Sequence, residues 1–184
     1  MQGFSLIEML LVLVLVVLGV AGGALWAYSA STEARRAQQL VDLASSARSV
    51  AMASVSTATA SLASNPAGSY SEFSTEWLAS HLDSRWLRNG AVQVPVPGVG
   101  FNVSGVRSPW GASPPLTLDV GWIQLTGVPS SMCPSVATGL IRGFDRVLIN
   151  SNVARDAGLN PVAQTQILAW CAAAPTLTIE VFFT

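Results

Sequence analysis

Gly3-Phe4-Ser5-Leu6-Ile7-Glu8-Met9-Leu10-Leu11-Val12-Leu13 places a carboxylate at the head of a long apolar run. From Met9 to Thr32 no side chain is charged, and most are Leu, Val, Ala or Gly. That is longer than the roughly 20 apolar residues a helix needs to cross a bilayer. An acid drawn into hydrocarbon costs about 3 kcal/mol, so Glu8 requires a partner. An ordinary secretory signal would account for the apolar run, with Ala21, Gly22 and Gly23 as the small residues of a cleavage site, but it gives Glu8 no role.

Outward from this run the chain changes character. The 184 residues suffice for one domain with a core of its own, and the apolar segment raises the mean hydropathy to +0.49. From Glu33 onward the sequence reads as a soluble domain rich in Ala, Ser, Val and Pro, so one anchor carries one head. The net charge is -1, every basic residue is Arg, and no basic cluster exists to neutralise a run of phosphates. No direct nucleic-acid binding is predicted. Cys133 and Cys171 lie too far apart for a zinc or redox pair; in an exported domain they are read as one disulfide, with two buried thiols as the alternative.

The pattern predicts a helix that continues past the apolar run, because Ser29 to Leu62 contains no proline. Ala37, Leu40, Val41, Ala44, Ala47, Val50, Ala51 and Val55 recur at three- and four-residue spacing, a stripe suited to packing against a head. Asn65-Pro66-Ala67-Gly68 ends it. A second helix is predicted between Ser71 and Arg88, with Phe73, Trp77, Leu78, Leu82 and Trp86 as a core-facing stripe and Asn89-Gly90 as its stop. Ala91–Phe101 and Leu116–Leu125 read as strands. Short helices follow at Cys133–Ile141 and Pro161–Ala172, with strands at Phe144–Ile149 and Leu177–Phe183.

The opening segment resembles the processing motif of type IV pilins: Gly3-Phe4-Ser5-Leu6-Ile7-Glu8, then Met9 to Leu13. The resemblance implies that a prepilin peptidase cuts between Gly3 and Phe4 and methylates the new terminus, and that Glu8 acts in assembly. It implies a leader at 1–3, a transmembrane and polymerisation half of the helix at 4–32, an amphipathic half at 33–64 and a globular head at 65–184. The leader Met1-Gln2-Gly3 departs from the pattern, having no basic residue, while Arg35 and Arg36 follow the span. A count of basic residues alone would put the head in the cytoplasm; the expectation is a start upstream or a trimmed leader. Gly19, Gly22 and Gly23 weaken the helix. They are read either as close-packing positions in the membrane or as a segment that melts when the subunit enters a filament.

Trp110-Gly111, Gly127-Val128-Pro129 with Cys133 four residues on, and a late Cys171 before a closing strand are similar to the type IVb pilins of the PilS kind, which build thin conjugative pili. The implied fold is α+β: a long N-terminal helix packed on an antiparallel sheet, with short helices and a Cys133–Cys171 bridge. The implied function is a structural subunit, the major pilin, polymerised with identical copies by pilus assembly machinery for adhesion or conjugative transfer. It would sit in the inner membrane with its head in the periplasm before assembly, and outside the cell after it. A minor pilin, a secretion pseudopilin and a membrane-anchored adhesin are the alternatives. No enzyme, cofactor or metal is expected. His81 is the only histidine, so a Ser-His-Asp set would depend on it. Gly98-Val99-Gly100 lacks the context of a nucleotide loop and reads as a turn, and the carboxylates have no calcium-loop spacing.

Overall fold

The computed structural model describes residues 6–58, 70, 73–106 and 120–184; within the first helix, the side chains at 6–8, 19, 21–27, 29–30 and 55–58 lie outside that description. The elements are α1 (Leu6–Ala58), α2 (Thr75–His81), a 3-10 turn (Ser84–Trp86), β1 (Leu87–Arg88), β2 (Ala91–Val92), β3 (Gly100–Val106), β4 (Val120–Pro129), α3 (Cys133–Gly143), β5 (Arg146–Ile149), β6 (Asn152–Arg155), α4 (Gln164–Ala172) and β7 (Thr176–Phe183). Contacts divide the chain into two compact units, Met1–Arg35 and Arg36–Thr184.

The first unit contains the opening of α1. Met9 to Leu18 and Val20 are all 46–72% exposed there. Among the described residues no helix is long and apolar enough to cross a membrane; the sequence run to Thr32 passes through positions whose side chains lie outside the description.

The second unit is built on a five-stranded antiparallel sheet in the order β3-β4-β7-β5-β6. Alternation along β7 buries Leu177, Ile179, Val181 and Phe183 on one face, beside Ile123 and Leu125 of β4 and Val147 and Ile149 of β5. The α1 stripe closes this core: Ala37, Leu40, Val41, Ala44, Ala47 and Ala51 are buried as the spacing predicts, and Leu43 joins them. Small residues set the close approaches. A Cβ on Gly139 of α3 would lie 2.7 Å from Val41, and one on Gly121 of β4 would lie 2.3 Å from the Phe183 ring. Phe183 has edge contacts with Tyr70, Phe73 and Phe144 at ring separations of 5.4, 5.8 and 5.9 Å.

Several boundaries differ from the sequence reading. The second helix is only seven residues long. Ser74 caps its start, accepting from the Trp77 amide at 3.2 Å, and Asp83 caps the separate 3-10 turn. Phe73, Leu78, Leu82 and Trp86 are nevertheless buried, with Trp77 packed beside them, so the stripe is core. Asn89-Gly90 does not stop a helix. With φ of 53° and 76° it forms the two-residue turn between β1 and β2, the conformation that favours Asn-Gly in hairpins. The strand expected at Ala91–Phe101 is broken by Pro95, Pro97 and Gly98, and pairing resumes at Gly100. Strand β6 was not anticipated, and α4 begins three residues after Pro161. Asn65-Pro66, Trp110-Gly111 and Leu116-Asp119 lie outside the described residues.

Candidate assembly helix and the disulfide-closed head

Glu8 is the third residue of α1, one residue before the exposed apolar run begins at Met9. Gly3 and Phe4, the residues flanking the expected cut, lie outside the described residues. What the helix presents beyond Glu8 is chemically simple: ten consecutive apolar side chains, Met9 to Leu18, exposed on every side of the rod. Apolar surface of that extent is stable only when lipid or protein covers it.

In the second unit Cys133 and Cys171 are joined, with Cα atoms 5.6 Å apart. The bond ties the first residue of α3 to the last turn of α4, as expected. Sequence reasoning missed what secures the other end of α3. Arg48 of α1 donates to the Gly143 carbonyl, and Arg155 of β6 donates to the Ile141 carbonyl. These carbonyls belong to the last turn, where a helix has no internal donors left and its dipole favours cations. The only cue in the sequence is one arginine inside an otherwise Ala- and Ser-rich stripe. Arg48 also lies 5.6 Å over the Phe144 ring. Nearby, burial pushes the Tyr70 phenol above its ordinary value, with Asp145 adding to the rise and Arg48 opposing it.

His81 is exposed at the end of α2. Its Nδ1 lies 2.9 Å from the Trp77 carbonyl and 2.8 Å from Ser80 Oγ, and its ring stacks on Trp77 at 4.2 Å. Ser80 Oγ itself donates to the Trp77 carbonyl at 2.7 Å. The Ser80 hydroxyl is engaged with its own helix beside an exposed imidazole, and among the described residues no acid is hydrogen-bonded to the His81 ring to orient it as a nucleophilic site requires. Gly98 has φ of 81° in a turn that the Val99 amide closes onto the Val96 carbonyl. Among the described residues no cluster of His, Cys, Asp or Glu could hold a metal ion.

Neither a family model nor a curated protein matches the sequence. The structure does have a match: the crystal structure of TcpA, a type IV pilin from Vibrio cholerae El Tor biotype, aligns over 83% of this chain and 99% of that one, at a TM-score of 0.50 and 13% identity. The fold is that of a type IV pilin. At that identity the likeness is one of architecture, and the type IV pilin fold found here has the expected parts: a long first helix, an antiparallel sheet, short helices and one disulfide.

Proposed function

We propose that this chain is the major structural subunit of a type IVb pilus of the PilS kind, processed between Gly3 and Phe4 and polymerised through α1. The observation that carries this reading is the exposed run Met9–Leu18, standing directly after Glu8 in a chain with a pilin fold. Before assembly, the apolar run to Thr32 would hold the subunit in the inner membrane with its head in the periplasm. After assembly, the same surface is covered by the helices of identical copies, and the pilus lies outside the cell. The subclass rests on the later motifs, Gly127-Val128-Pro129 and the Cys133–Cys171 pair.

The chemistry of assembly follows from one acid and one amine. Cleavage gives Phe4 a free α-amino group. A cation about 4 Å from the Glu8 carboxylate gains roughly 4 kcal/mol at an effective dielectric near 20. Either charge alone is costly to bury; together they remove two unpaired charges and favour one axial stagger between neighbours. Glu8→Val therefore keeps the protein in the membrane fraction but removes it from sheared filaments, as read by immunoblot of both fractions. Wild-type yield of filaments from that variant would refute the pairing. Mass spectrometry of filament material tests the processing: the mature chain begins at an N-methylated Phe4.

A further inference from the structure

Between β6 and β7 the chain crosses α3 through α4, and most of that crossing is weakly held. Backbone bonds anchor it at its ends, Val162 N–H to the Ala154 carbonyl at 3.0 Å and Ser130 N–H to the Pro175 carbonyl at 3.0 Å. Between these anchors, residues 163–174 bury only Ile167 and Cys171, with Trp170 partly covered. Helix α4 has nine residues, fewer than an isolated helix needs to persist, and no side chain caps its start. A cleft of about 250 Å³ lies between Thr138, Ile141 and Arg142 of α3 and Pro161, Val162 and Ile167 of the crossing. Leu168 remains 47% exposed.

We propose that residues 163–174 form a thiol-gated flap, latched on α3 by the Cys133–Cys171 bond and free to lift when that bond is reduced, while the sheet stays folded. The reductant is a dithiol. One of its thiolates attacks a sulfur of the latch, its second sulfur displaces the mixed disulfide, and it leaves as a cyclic disulfide. Two electrons and two protons thereby pass to Cys133 and Cys171 as thiols. Both cysteines are almost completely covered, at 0% and 1% exposure, so the dithiol reaches the bond through brief local openings of the crossing with the bond intact, and reduction then removes the tie that recloses it. Once lifted, the flap uncovers the Thr138–Arg142 face of α3. This inference concerns the head alone and is independent of the assembly reading.

The test is amide hydrogen exchange on the full chain in detergent micelles, before and after dithiothreitol, and on Cys133→Ala/Cys171→Ala. The expected result is a loss of protection of about 100-fold or more at the bonded amides of 166–172, with those of β4 and β7 changed less than about threefold. Three results overturn the proposal: equal loss throughout the head, no change in α4, or a double variant that does not fold while the reduced wild type also loses the sheet.

Discussion

Two residues show how covering a group changes what it can do. Tyr70 is 5% exposed and its phenol is raised above its ordinary value, chiefly by burial. A raised acid holds its proton more tightly folded than unfolded, so its contribution is complete below the unfolded pKa and is lost as pH rises through the folded one. The thermal midpoint of the wild type accordingly falls above about pH 10 through this group. Tyr70→Phe removes that part of the fall, and the phenolate absorbance lost in the variant has its midpoint above 10. Gly121 is the converse case, a missing side chain that lets Phe183 lie across the sheet. In Gly121→Ala the new methyl meets a ring already enclosed by Tyr70, Phe73 and Phe144. Overpacking of this kind costs about 2 kcal/mol, lowering the thermal midpoint by roughly 5 °C. Phe183→Leu in the same chain restores part of it if the ring is the obstacle.

At the scale of elements, α3 is held at both ends by residues distant in sequence. Its start is fixed by a covalent bond to α4, and its end by guanidinium groups from α1 and β6. Arg48→Met or Arg155→Met strips a charged donor from a partly buried carbonyl and costs about 1–2 kcal/mol each. The midpoint of urea unfolding reads this, and the two losses add to less than their sum because both act on one helix end. Elements whose signal was local were legible in advance. The α1 stripe, α3 and β7 follow from periodicity alone, since one buried face dictates the spacing. Hairpin turns were harder. Asn89-Gly90 serves equally as a helix stop, and only pairing of Leu87 with Val92 decides between them. Asn150-Ser151, with φ of 46° and 68°, turns β5 into β6 without the glycine that usually marks such a turn. Strand β6 itself, Asn-Val-Ala-Arg, has too little apolar alternation to announce an edge strand.

Across the whole molecule the sheet order could not be read from the chain. The last strand, β7, lies between β4 and β5, so the centre of the sheet is supplied by the final residues of the second unit. Long-range pairing of this sort leaves no local trace. The change along α1 from a charge-free run to an amphipathic stripe was legible, because the two have different periodicities; the assembly role proposed for Glu8 rests on the cost of its charge alone. That change has a consequence for independence. Every buried apolar residue among the described ones lies at Ala37 or beyond, and all the sheet pairing lies in the second unit. A fragment beginning at Ser29 therefore discards the run Met9–Val20 and none of the described core. It is expected to be monomeric in detergent-free buffer by light scattering. Its thermal midpoint should lie within about 3 °C of the full chain in micelles, because the core that determines unfolding is the same. A fragment that aggregates, or that melts far below the full chain, would mean that the first unit contributes to the stability of the second. In that case α1 could not serve as an assembly surface without loosening the head.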